Sequence, residues 1–332
     1  MIRAALAAVT AAALPAAPQI HVPAGFQAQV YARGLVHPTA LAFGPDGSLY
    51  ATEDTGRVVA VTRGGRPRFV ANRLPTPLGL AWLGRDLFVS AQGRLVLLRF
   101  RGGTVVGRRS IVDHLPFGEH QQDNVVVGRD GRLYLGSGST CDACRERNPR
   151  SATVLSVKPN GSDLRVVARG LRNPYGLALQ PSTGRIFVSV NGRDKLGENE
   201  PAESVVELRP GRTFGWPACW PSWTRLRLAG TCRGVTAPVA YLEPHSSADG
   251  MAFATATTFG GRYAGQLFVA EWGQYDSTRA GRKLVRVRLG QPRAQVFATG
   301  FDHPLAVIRD PAGGLLVSDW GRGVIYRISA SP

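Results

Sequence analysis

Three short stretches of this chain carry the residue types from which a reactive centre can be made. Glu119-His120-Gln121 offers an imidazole between a carboxylate and an amide, Arg172-Asn173 a guanidinium beside a second amide, and Asn191-Gly192-Arg193-Asp194 a polar turn of backbone carbonyls ending in a carboxylate. An imidazole beside a polar substrate can act as a general base, a guanidinium stabilises developing negative charge, and a turn of oxygen donors suits a hard cation such as calcium. Four of the six histidines, His37, His120, His245 and His303, stand in comparable places just ahead of apolar runs. For any one of them, turn or capping duty is an equally good reading, because Pro38, Pro77, Pro174 and Pro304 mark the same places as structural turns. Charged loops facing solvent are the plain counterpart of a binding mouth.

What positions these residues is an internal repeat. An apolar strand followed by a Gly-x-Asp-Gly-type turn and a second apolar strand recurs six times, with first strands at Leu41-Ala42-Phe43, Leu80-Ala81-Trp82, Val125-Val126-Val127, Leu177-Ala178-Leu179, Met251-Ala252-Phe253 and Val307-Ile308. Third and fourth strands follow in each copy, but the chain ends before the sixth copy can make its fourth. Ala28-Gln29-Val30-Tyr31-Ala32 nearly repeats Ala294-Gln295-Val296-Phe297-Ala298, the fourth strand of the fifth copy. The repeat therefore predicts an all-β, six-bladed propeller of four-stranded antiparallel blades, the last blade closed by the N-terminal strand, which removes the open edge of the ring. Residues just before each first strand, together with loops between second and third strands, then share one rim around a central channel. The longest interval follows Leu177, and its extra residues, about 216–236, read as an inserted loop.

Composition agrees with one large all-β unit: 332 residues with 40 Gly and 23 Pro and no sustained helical period beyond the Ala-rich start. Residues 1–17 read as a secretory signal, too short to span a membrane, and 18–332 as a single propeller domain in a periplasmic or secreted protein. The formal charge of +17 comes almost wholly from arginines scattered along the chain. With no basic run, it reads as a solvated basic surface rather than a nucleic-acid site. In an oxidising compartment the four cysteines pair locally, Cys141 with Cys144 and Cys219 with Cys232. The second pair has the wrong spacing for a zinc site, and Arg145 after Cys144 excludes haem attachment.

The run Arg172-Asn173-Pro174-Tyr175-Gly176-Leu177-Ala178, followed by Phe214-Gly215-Trp216-Pro217, resembles the glucose/sorbosone dehydrogenase family, six-bladed propellers that use pyrroloquinoline quinone and calcium. The resemblance implies an exported quinoprotein oxidising a sugar, sugar aldehyde or related alcohol, with an electron acceptor that the chain does not name. It implies His120 as general base and Arg172 as the group that stabilises charge. Cofactor contacts are implied from Arg172, Asn173, Gln121 and His303, and calcium ligation from the backbone carbonyls of Gly192 and Arg193. Two places depart from the family pattern: Glu203-Ser204-Val205-Val206 stands where relatives commonly read Asp-Glu-Leu-Asn, and His303 and Leu305 stand where soluble glucose dehydrogenases place arginines. A metal-dependent hydrolase of the lactonase kind and a non-catalytic binding module are the readings from other classes, since the fold alone carries no function.

Overall fold

Six four-stranded antiparallel sheets make up the blades of the computed structural model, and in the first five the strands are hydrogen-bonded in sequence order. The structure describes residues 19–275 and 277–332, so the signal expected at 1–17 lies outside the described residues. The first blade runs Pro38–Phe43, Leu49–Glu53, Arg57–Val61 and Arg68–Ala71; the third runs Gln122–Val127, Leu133–Ser137, Thr153–Val157 and Arg165–Arg169. Second strands are covered on both faces by neighbouring blades, and Leu49–Glu53 and Leu267–Glu271 are buried at every position. That is why they read as continuous apolar runs rather than as alternating patterns. Outer strands are less covered: in Thr104–Val112, which carries Arg108 and Arg109, only Val112 is buried. The Asp-Gly turns between first and second strands are stitched by their own side chains. Asp46 accepts from the Ser48 N–H at 3.1 Å and the Tyr50 hydroxyl at 3.0 Å, and Asp130 repeats this with Arg132 and Tyr134 at 3.1 and 2.8 Å.

The ring closes as the repeat predicts. Phe26–Arg33 pairs antiparallel with Val324–Ala330, from Phe26 opposite Ala330 to Arg33 opposite Val324, and so becomes the fourth strand of the sixth blade. Ahead of it, His21 and Thr299 exchange backbone hydrogen bonds of 2.9 and 3.0 Å with the fifth blade. A buried cluster joins Leu41, Leu49 and Val59 of the first blade to Ala306, Leu316 and Ile325 of the sixth. Where first strands of adjacent blades meet, there is no room for a side chain: a Cβ on Gly176 would lie 2.1 Å from the Asp249 carbonyl, and one on Gly250 2.4 Å from that of Leu305. The fourth blade takes its outer strand, Ala240–Leu242, only after a separate hairpin, Cys219–Ser222 with Arg227–Gly230, which is the inserted loop expected at 216–236. Both expected disulfides are present, Cys141–Cys144 and Cys219–Cys232. No helix among the described residues is long and apolar enough to cross a membrane.

Candidate active site at the channel mouth

The third, fourth and fifth blades present their loops around a cavity of about 530 Å³, whose wall includes Glu119, His120, Arg172, Asn173, Asn191, Gly192, Asp194, Glu203, His245 and Trp272. These residues come from the two loop types that the repeat puts on one rim. His120 precedes the first strand of the third blade, and Arg172-Asn173 precede that of the fourth. Asn191 to Asp194 and Trp272 follow second strands.

His120 is held by the chain that returns after Leu133–Ser137. Its backbone N–H donates to the Ser139 carbonyl at 3.0 Å, and its Cβ packs against Gly138, where an added Cβ would come within 2.4 Å of it. Nδ1 lies 3.0 Å from the Ser139 Oγ and 3.2 Å from the Ser139 carbonyl oxygen. The serine hydroxyl donates its own proton to the Cys141 carbonyl at 2.7 Å. Ser139 therefore faces the imidazole with acceptors only, so Nδ1 carries the ring proton and Nε2 keeps its lone pair. Nε2 has no hydrogen-bond partner among the described residues. Burial, reinforced by the neighbouring Arg172 charge, pushes the His120 pKa down to about 4. At neutral pH the ring is an uncharged acceptor at the cavity wall.

Arg172 is 4% exposed and meets carboxylates from three loops: its Nη2 lies 2.8 Å from Asp194, 3.0 Å from Asp142 and 4.0 Å from Glu119. Nε donates to the Asp142 carbonyl at 3.1 Å. Multiple pairing is what lets a guanidinium stay charged away from water. Asp142 does more than pair: its carbonyl also accepts from the Trp216 indole at 3.0 Å, and its carboxylate from the Asp194 N–H at 2.8 Å. Reading the sequence missed Asp142 and Ser139, since the Cys-x-x-Cys run signalled a disulfide and nothing else. The proximity of that run to Arg172 is set by the blade-to-blade arrangement.

The turn after the fourth blade's second strand is backed by Glu203, whose carboxylate accepts the Gly192 N–H. Burial pushes the Glu203 carboxyl up to about 8. Glu203 is the acid that remains in the departing Glu203-Ser204-Val205-Val206 run. Asn191 donates to Asp249 at 3.2 Å, while its own Oδ1 and that of Asn173, both buried, meet no partner. Beneath them in the channel Asp123 and Asp249 are fully buried, and loss of water raises both carboxyls well above the usual range.

The cavity wall therefore brings His120, Arg172, Asn173 and Gly192 together. Gln121 and His303 stand back from it. The Gln121 amide donates to the Thr76 carbonyl at 2.7 Å, towards the second blade. The His303 ring lies tilted against Trp272, with centroids 4.1 Å apart. The Arg193 side chain turns away under the hairpin, 6.0 Å from the Trp220 ring. Two rim acids expected near the mouth have local duties: Glu53 accepts the Val36 N–H at 2.7 Å, and Asp319 those of Asp302 and His303 at 2.8 and 2.9 Å.

Comparison with known proteins places this fold. The calcium structure of the Trichoderma reesei carbohydrate-active enzyme of family AA12 superposes with a TM-score of 0.81 at 18% identity, covering 97% of this chain and 100% of that one. The holo form of the pyranose dehydrogenase PQQ domain from Coprinopsis cinerea gives 0.81 at 19% identity, over 95% and 99%. The PQQ-bound aldose sugar dehydrogenase of Streptomyces coelicolor gives 0.73 at 21% identity, over 94% and 100%. At these identities the likeness speaks for the shared propeller. The model of the family described as Glucose / Sorbosone dehydrogenase matches residues 89–317. That match runs from the second blade to the sixth, through every loop on the cavity wall, and the chain belongs to the glucose/sorbosone dehydrogenase family of oxidoreductases.

Proposed function

We propose that the protein is an exported quinoprotein that oxidises an aldose or a related sugar alcohol or aldehyde, using pyrroloquinoline quinone and calcium. The observation that carries this reading is a neutral His120, with Nδ1 committed to Ser139 and Nε2 free, on the same wall as a buried, charged Arg172.

The residues present suit such a cofactor. The buried Oδ1 atoms of Asn173 and Asn191 lack partners. The carbonyls of Gly192 and Arg193 accept no hydrogen bond among the described residues, and they are the oxygen type that calcium takes. Arg172, Asn173 and the Gly192-Arg193 turn would hold the group, with Glu203 fixing the turn from behind. When bound, the quinone supplies the two-electron acceptor and calcium a Lewis acid. The chain supplies the rest: Nε2 of His120 takes the proton of the substrate hydroxyl, and Arg172 stabilises negative charge as it develops. The two disulfides accord with export to an oxidising compartment. A hydrolase working through an acid-rich mouth has less support, because the acids there are engaged: Asp142 and Asp194 by Arg172, and Glu203 by the Gly192 N–H.

The test is optical. Protein mixed with pyrroloquinoline quinone and calcium should give the absorbance of the reduced cofactor when an aldose is added, and a chelator added beforehand should suppress it. Tight cofactor binding with no reduction across a panel of aldoses, polyols and sugar aldehydes would reject the dehydrogenase reading.

A further inference from the structure

The chain between Ser137 and Thr153 contains no regular secondary structure, and its tip from Thr140 to Arg150 has no fully buried residue. Such a segment is not held in shape by core packing. It nevertheless touches both reactive side chains at once. The Cys141 carbonyl takes the Ser139 hydroxyl proton and so presents His120 with acceptors only. Asp142 binds Arg172 through its carbonyl and its carboxylate, and receives Trp216 and the Asp194 N–H as well. The segment is braced from within by the Cys141–Cys144 bond and by Glu146, which accepts the Thr140 N–H and hydroxyl at 2.6 and 2.8 Å.

We propose that this disulfide loop is a positioning device for the reaction: by fixing the Cys141 carbonyl and Asp142 in place, it sets the tautomer of His120 and the orientation of Arg172. The proposal rests on the reading of His120 as the base. Its physical content is a competition for one proton. With the Cys141 carbonyl in place, the Ser139 hydroxyl points away from the imidazole and Nδ1–H is favoured. With that carbonyl displaced, the hydroxyl is free to donate to Nδ1, the ring proton shifts to Nε2, and the substrate meets a proton where a lone pair is needed. Asp142 moves with the same loop, so Arg172 loses two of its fixed contacts together. Asp142, Ser139 and the cysteines are thus positioning residues and touch no reacting atom.

The tautomer can be read without cofactor from the side-chain ¹⁵N shifts of His120, in the wild type and in the pair variant Cys141→Ala/Cys144→Ala, with Cys219→Ala/Cys232→Ala as control. We expect Nδ1–H in the wild type and in the control, and a mixture of tautomers in the loop variant. In the loaded enzyme the loop variant should lose at least about tenfold in kcat, while the control keeps its turnover at temperatures where it is folded. A folded loop variant with the wild-type tautomer would overturn the proposal, as would a control that shifts equally. If the loop variant does not fold, reducing Cys141–Cys144 in the folded Cys219→Ala/Cys232→Ala control, which carries no other disulfide, asks the same question. A reduced control that still shows pure Nδ1–H with unchanged turnover would also reject the mechanism. Absence of sugar oxidation in the wild type would sink the dehydrogenase reading alone, since the tautomer measurement decides the loop's role independently.

Discussion

The role proposed for His120 rests on what surrounds it. A free histidine titrates near 6.5, whereas this ring, stripped of water and facing Arg172, waits until about 4. Between those values the unfolded chain binds a proton that the folded protein refuses, so this residue makes stability rise with pH from about 4 to about 6.5 and leaves it flat above. His120→Gln should flatten that limb in melting curves taken across the window. In the loaded enzyme, His120→Ala should keep cofactor binding and slow sugar oxidation by about 10²–10⁴-fold, the range for loss of a positioned acid-base group. Wild-type turnover would remove His120 from the mechanism. Asp123 has the opposite sign: burial, with Asp249 nearby, raises its carboxyl, so the fold keeps a proton that the unfolded chain releases above about 3.9. Asp123→Asn should therefore raise the melting temperature at pH 8, by an amount that shrinks towards pH 4. An unchanged melting temperature at pH 8 would mean that the carboxylate is compensated where it stands.

At the scale of elements, loops do the binding and strands aim them. The hairpin Cys219–Ser222 with Arg227–Gly230 lies outside the blades, yet Trp216 at its entrance reaches Asp142, and Ala202 donates to the Pro221 carbonyl at 2.9 Å. Glu200 ties its tip by accepting from the Ser222 hydroxyl at 2.6 Å and the Trp223 N–H at 3.0 Å. Removing the Cys219–Cys232 bond should cost about 3 kcal/mol, the loop-entropy value for a ring of roughly this size. Differential scanning calorimetry of Cys219→Ala/Cys232→Ala measures it, and a melting temperature equal to the wild type's would show that Glu200 and packing hold the hairpin unaided.

For the molecule as a whole, stability depends on closing the ring. The strand Phe26–Arg33 completes the sixth blade, and Phe26 packs edge-on against Phe259 and Phe297, with centroids 5.1 and 5.2 Å away. A chain beginning at Gly34 should lose cooperative unfolding near the wild-type temperature, whereas one beginning at Gln19 should not. Phe26→Ala, which leaves the strand's backbone pairing possible, should cost about 3–5 kcal/mol, as for a large aromatic lost from a core. Equal melting of the Gly34 chain and the full protein would refute closure by the N-terminal strand.

The six-fold repeat, the borrowed strand and both cysteine pairings were legible in the sequence, because each depends on a local pattern: an apolar run, a turn residue, or two cysteines close along the chain. The repeat also told which loops share a rim, and so brought His120, Arg172, Asn173 and Gly192 under one heading before any coordinates. Only the tertiary structure decided what each rim residue faces. Gln121 follows His120 directly, yet its amide is spent on Thr76. His303 matches His120 in the repeat but packs at a tilt against Trp272. Asp142, which sequence assigns to a disulfide loop, turns out to grip Arg172. Strand periodicity specifies a residue's blade and layer, whereas side-chain partners across blades depend on distances between segments far apart in the chain, which only the closed ring brings within hydrogen-bonding reach.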